Sequence, residues 1–196
     1  MKVVRHIRHS KAYNPRDSYQ AEFLANMQAH TREDPARGIA IWPRRSGKDL
    51  TALHNTLIMA HEQRGMYWHC LPVYEQARKA CWTAYISEGD AGQRLMDNVF
   101  PREIRVRPAE WSPGASVMLV ELKSGSIIQF VGSDTINHLV GAGLCGINFS
   151  EFSLSKPSAW PYIQPILQES RGWASFLFTP RGRNHAHALY EAYKKQ

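Results

Sequence analysis

The sequence predicts an α/β fold: a mainly parallel central sheet with helices on both faces, three layers in all. Four short apolar runs at 38–42, 66–71, 144–149 and 174–179 have the composition of buried strands. Segments with apolar residues at helical spacing lie between them. Such alternation makes a parallel sheet covered on both faces. The chain has 196 residues, 43% hydrophobic and 21% charged, enough to bury one domain core. In these sheets ligands gather at the carboxyl ends of the strands, so the residues that follow each strand are the ones to weigh.

Residues 1–16 read as a solvated basic arm and 17–196 as the folded domain. Asp17 or Ser18 is placed to cap a helix running to about 30, with Tyr19, Phe23, Leu24 and Met27 on one face. The 38–42 strand leads into the loop Pro43-Arg44-Arg45-Ser46-Gly47-Lys48-Asp49 and a helix over 48–64, which Gly65 is expected to end. The second strand, 66–71, is followed by a helix-like stretch over 74–86 and a weaker one over 91–99. Segment 101–114, rich in Pro and Arg, reads as irregular. Runs 117–122 and 126–132 flank Lys123-Ser124-Gly125, the pattern of a β-hairpin. After the 144–149 strand come Ser150 and Glu151, then a helix over 158–169 weakened by Pro161 and Pro165. The 174–179 strand and a helix over 184–195, capped by Asn184, complete the chain.

Composition excludes several classes. No stretch approaches the ~18 apolar residues of a membrane span, and the charged N-terminus lacks the apolar core of a secretory signal. Cys70, Cys81 and Cys145 are odd in number and far apart, which argues against a disulfide framework or zinc site and for a reducing cytoplasm. The net charge of +7 is uneven: residues 1–16 carry +5, 171–196 carry +4 and the body between them −2. His185 and His187 lack a third ligand, and the six Trp read as core rather than base-stacking platforms. Arg102, Arg105 and Arg107 read as a solvated basic loop, with a transition-state arginine offered to a neighbouring subunit as the sharper alternative.

Three post-strand segments carry chemistry. Gly47-Lys48 between a strand and a helix meets the needs of a phosphate loop. Glycine lets the backbone turn its N–H groups inward, lysine supplies a charge to β/γ-phosphates, and the helix adds its positive N-terminal end. Trp42 stands where the usual pattern has its first glycine, and Asp49 where it has the hydroxyl that binds Mg²⁺. Glu151, at a strand's end, is of the type that polarises an attacking water. Thr179 can bind a phosphate-associated water, or merely begin a turn with Pro180.

Together, 43–49 (PRRSGKD), 146–152 (GINFSEF) and 176–185 (FLFTPRGRNH) resemble the ATPase domain of the large terminase subunit of tailed bacteriophages. The stretches 121–134 and 139–143 resemble that family's segment ahead of its Walker B strand. The resemblance spans about 14–196 and implies a P-loop NTPase fold and an ATP-hydrolysing motor that packages double-stranded DNA into the procapsid. It implies ATP and Mg²⁺ as ligands, with Ser46, Gly47, Lys48 and Asp49 around the nucleotide. Lys48 would contact the β/γ-phosphates, Arg44 or Arg45 would sense phosphate, Glu151 would be catalytic and Thr179 would begin the coupling segment. Tyr19-Gln20 resembles the adenine-recognising glutamine motif, against a plainer reading of Gln20 as solvated and Tyr19 as core. The implied partners are DNA bound without sequence preference, portal, small terminase subunit and further copies in a ring, in the host cytoplasm at the procapsid and with no membrane.

Two departures stand out. The family has Asp-Glu where this chain has Ser150-Glu151, and a hydroxyl where it has Asp49. One hypothesis is that the Mg²⁺-binding carboxylate has moved from the Walker B strand to the loop, as Asp49. The milder reading keeps Ser150 as the ligand and Asp49 as a helix cap. Terminases also carry an acid-rich nuclease half. After Thr179 this chain has one acid, Glu191, so no nuclease activity is expected of it. The alternatives are another nucleic-acid translocase of helicase type, which would separate strands, and a nucleotide-binding assembly module without turnover.

Overall fold

The computed structural model describes residues 14–15, 19–86, 92–106, 116–138 and 143–194. Most of the basic arm, the caps proposed at Asp17 and Ser18, Arg107 and most of 139–143 lie outside these residues. The six strands are β1 (Arg37–Ile41), β2 (Met66–Leu71), β3 (Leu119–Glu121), β4 (Ile127–Gly132), β5 (Leu144–Ser150) and β6 (Trp173–Phe178), in the order β1-β6-β5-β2-β4-β3. Every pairing is parallel except the β3–β4 hairpin. The helices are α1 (Tyr19–Gln28), α2 (Lys48–Glu62), α3 (Tyr74–Ala77), α4 (Leu95–Val99), α5 (Ala159–Ser170) and α6 (His185–Tyr193). None is long and apolar enough to cross a membrane.

Side-chain alternation along the strands separates two cores. On one face Tyr67, Leu71, Ile128, Phe130, Trp173 and Leu177 pack with Phe23, Leu24 and Met27 of α1 and Leu53 and Leu57 of α2. On the other, Trp68, Cys70, Ile147, Phe149, Phe176 and Phe178 pack with Trp160, Ile163 and Leu167 of α5. The three predicted layers are therefore present.

Along β5 the α2-facing positions are Gly146, Asn148 and Ser150, small or polar, and they admit α2 closely. Asn148 Nδ2 donates to Thr56 Oγ1 at 2.7 Å, and Ser175 Oγ donates to Asn148 Oδ1 at 2.6 Å. Gly146 leaves room for the buried Trp173, whose ring lies 2.2 Å from where a Cβ would stand. Gly146→Ala should therefore lower the unfolding free energy by about 1–3 kcal/mol through overpacking, as read by urea denaturation. An unchanged midpoint would show that the ring yields.

Several expectations need correction. Helix α2 ends at Glu62, with Gln63 already extended, so Gly65 does not end it. Gly65 instead meets Cys145, whose Sγ would lie 2.2 Å from an added Cβ. The helix expected over 74–86 closes after α3 in a π-helical turn, Arg78–Trp82, which carries Cys81 and Trp82 into the core. The chain then doubles back: Tyr85 bridges Arg94 antiparallel, and Ile86 N donates to Gln93 O at 2.9 Å. Arg105 is 2% exposed and paired with Asp97 at 2.7 Å, so it is neither a solvated loop residue nor an arginine for a neighbour. Helix α5 keeps Pro165 inside it because Pro161 and Pro165 share the exposed face, where the lost backbone bond spares the core packing.

Candidate functional site

The carboxyl ends of β1, β5 and β6 meet at an open cavity of about 1060 Å³. Its lining includes Arg44, Arg45, Ser46, Gly47, Lys48, Asp49, Glu151 and Arg181, with Tyr85, Ile86, Leu95 and Leu154 supplying apolar wall. Four cationic and two anionic side chains among these give the cavity a net positive charge, suited to a polyanion.

The loop after β1 is shaped by residues in the left-handed region, Arg45 at φ 60° and Gly47 at φ 77°. Gly47 is the N-cap of α2 and offers no side chain, so the first N–H groups of the helix face the cavity without a side-chain cap. The Ser46 hydroxyl is buried and has no hydrogen-bond partner among the described residues. Orphan backbone donors, a helix N-terminus and an unpaired buried hydroxyl fit a phosphate group. The bulky Trp42, in place of glycine, anchors the loop's start by edge-on packing against Tyr19 at 4.9 Å and Phe23 at 5.6 Å.

Lys48 is 6% exposed. Its Nζ donates to Pro43 O at 3.0 Å, Trp42 O at 3.4 Å and Thr179 Oγ1 at 3.1 Å, and lies 3.5 Å from Glu151 Oε1. Thr179 in turn donates to Trp42 O at 3.2 Å. A lysine from the β1–α2 loop, a carboxylate from β5 and a hydroxyl from β6 thus converge. Glu151 adopts φ 48°, ψ 43°, a left-handed conformation rare outside glycine, at the point where β5 turns into a 3₁₀ segment, Phe152–Leu154.

Asp49 is held from below the cavity. Its Oδ1 accepts from Ser150 Oγ at 2.5 Å and from His69 Nε2 at 3.2 Å. Burial pushes its pKa up, but the His69 bond and charge, the Ser150 hydroxyl and the Lys48 ammonium outweigh burial and hold it below the ordinary carboxylate value. Asp49 reaches the cavity, whereas Ser150 is fully buried and reaches Asp49 instead. Asp49 brings a carboxylate to the cavity wall, an oxygen donor of the kind that a hard cation such as Mg²⁺ takes.

Gln20 is 2% exposed and donates from Nε2 to Ser46 O at 2.7 Å. It does not line the cavity; it braces the loop from behind and is not solvated. Tyr19 is 37% exposed, so it is not a core residue. Gln20→Leu leaves a buried carbonyl without that donor, a loss of about 1–3 kcal/mol. Thermal denaturation should show it, with a larger proportional loss in nucleotide binding than in stability.

The segment after β6 ties back to Glu151. Ser153 Oγ donates to Thr179 O at 3.4 Å, Asn184 Nδ2 to Ser153 O at 3.5 Å and His185 Nε2 to Phe152 O at 2.8 Å. Asn184 also caps α6, accepting from the Ala186 and His187 N–H groups. His185 is thus engaged with the Phe152 carbonyl.

Two residues escaped sequence reasoning. His69, mid-strand in an apolar run, signalled only by its polarity. The role of Ser153 had no sequence signal.

No protein-family model matches the sequence, and neither does any curated protein sequence. Solved structures do resemble it. The large terminase ATPase domain of Thermus phage P74-26 is 24% identical with a TM-score of 0.55, over 91% of this chain and 74% of that one. The large terminase of a thermophilic bacteriophage, in complex with ADP, is 16% identical with a TM-score of 0.57, over 83% of this chain and 39% of that one. The chain has the mostly parallel P-loop fold of phage large-terminase ATPase domains.

Proposed function

We propose that this chain is an ATP-hydrolysing motor domain of the large-terminase type, dependent on Mg²⁺ and acting on double-stranded DNA. The observation that carries the reading is the convergence of Lys48 and Glu151, 3.5 Å apart, at the uncapped N-terminus of α2. The solved domains that share the fold are ATPase domains, one of them bound to ADP.

In this mechanism the α2 N-terminus and Lys48 take the β/γ-phosphates, and Lys48 leaves the Pro43 carbonyl to do so. Glu151 then parts from Lys48 and orients a water in line with the γ-phosphorus. Arg44 and Arg45, both exposed at the cavity, are placed to meet the γ-phosphate. Asp49 is the residue that would hold Mg²⁺, whose charge would neutralise the phosphate oxygens. Thr179, shared between Lys48 and the loop, passes the occupancy of the phosphate site to the segment ending at His185. DNA contacts would be to phosphates, salt-sensitive and sequence-independent. The exposed Arg181, Arg183 and Lys194 are available for them alongside the basic arm. Portal, small subunit and further copies in a ring are the partners that such a motor needs, in a host cytoplasm.

Phosphate release measured with and without Mg²⁺, beside a strand-separation assay on a forked duplex, tests the reading. It expects Mg²⁺-dependent release and no unwinding. Unwinding would make the chain a helicase-type translocase, and nucleotide binding without release would make it an assembly module.

A further inference from the structure

We propose that His69 is a positioning residue: its Nε2–H and the Ser150 hydroxyl together clamp Oδ1 of Asp49, so that Oδ2 is presented to the cavity as a ligand for a hard divalent cation. This rests on the nucleotide reading above and says how a carboxylate works where a phosphate loop ordinarily has a hydroxyl.

The clamp is built from two adjacent strands. His69 is fully buried in β2, on the face that carries Tyr67 and Leu71 against α2, and pairs in register with Asn148 of β5. Ser150 lies two positions further along β5. Both donors fall on the same oxygen of Asp49, and among the described residues Oδ2 accepts no hydrogen bond. A carboxylate fixed through one oxygen has its other oxygen aimed, which removes the rotamer freedom that a longer side chain would otherwise bring to the site.

The tautomer follows from burial. A carboxylate only accepts, so Nε2 carries the proton. Nδ1 is buried and has no partner among the described residues, with the ring packed on Phe130 at 5.5 Å between centroids. The Nε2–H to Oδ1 bond is therefore the arrangement that the surroundings of the ring satisfy. The same point decides against a softer metal between Asp49, His69 and Cys81, whose ligand atoms lie within 4.8 Å of one another. Metal on Nε2 would move the proton to Nδ1, where no acceptor waits. The Cys81 thiol is also kept protonated by burial and by the charge of Asp49.

The test compares wild type, His69→Leu and His69→Gln for binding of a fluorescent ATP analogue, with Mg²⁺ and with EDTA. ¹⁵N spectra of the histidine rings accompany it. His69→Leu should lose roughly tenfold or more of the affinity gained from Mg²⁺, with little change in EDTA. His69→Gln, which keeps a donor in reach, should recover most of the gain, and wild-type His69 should show the Nε2–H tautomer. An undiminished Mg²⁺ gain in His69→Leu, equal loss in both variants, or an Nδ1–H tautomer would overturn the proposal. If His69→Leu does not fold, His69→Gln and the wild-type spectrum decide it. Failure of wild type to bind the analogue at all would instead overturn the nucleotide reading itself.

Discussion

Lys48→Ala should abolish useful nucleotide binding. The ammonium is the one cation buried at the uncapped end of α2 among the described residues that line the cavity, 6% exposed. Its bonds to the Pro43 carbonyl and Thr179 are ones that a phosphate oxygen can replace. A charge-assisted bond of this kind is worth about 1.5–3 kcal/mol, or roughly 10- to 150-fold in affinity. Without Lys48, Glu151 also loses the ammonium 3.5 Å from it while the phosphates approach, which pushes the loss toward the upper end. Calorimetric titration with a non-hydrolysable ATP analogue reads the effect. Binding within a few-fold of wild type would remove Lys48 from the site.

Glu151→Gln should separate binding from turnover. The amide keeps the size of the side chain and an oxygen that can still accept from Lys48, but it cannot take a proton from water. Phosphate release should fall by roughly 10²–10⁴-fold, the usual contribution of a positioned base, with analogue affinity unchanged or tighter. The left-handed backbone at Glu151 is retained in the variant, so stability should hold. Release at the wild-type rate would assign the base elsewhere and leave Glu151 as a partner for Lys48 alone.

The parts of the fold visible in the sequence were those set by local pattern. The run 66–71 is β2 to the residue, because an apolar strand buried on both faces needs no alternation to reveal it. The hairpin around Gly125, at φ 85°, and the Asn184 cap were equally local. Lys48, Glu151 and Thr179 stand after strands in the sequence, and the parallel sheet brings those ends together. What was hidden depends on partners distant in sequence. Gly65 after an amphipathic run reads locally as a helix stop, but its place is set by Cys145, 80 positions on. Arg105 in a Pro- and Arg-rich stretch reads locally as solvated, but Asp97 pairs with it. Gln20 sat on an amphipathic helix, with nothing local to say that its amide would brace Ser46. The break at Arg78–Trp82 arises because Cys81 and Trp82 are drawn into the core, which helical periodicity over 74–86 does not register.

Asp49 lies between these cases. Its identity at the loop was plain, and its bond to Ser150, 101 residues away, links the two departures from the resemblance. The hydroxyl missing from the loop is on β5, and the carboxylate missing from β5 is in the loop. The hydroxyl and the carboxylate that the resemblance leads one to expect at the opposite positions meet across one hydrogen bond.

The central claim is that the cavity between the β1–α2 loop and Glu151 holds the triphosphate of a Mg²⁺-nucleotide. A crystal structure of the protein with Mg²⁺ and a non-hydrolysable ATP analogue tests it most directly. The account predicts β- and γ-phosphates on the N–H groups at the start of α2, Lys48 moved from Pro43 O onto a phosphate oxygen, and Mg²⁺ on Asp49. A nucleotide bound elsewhere, or Lys48 still on Pro43 O beneath it, would contradict the account.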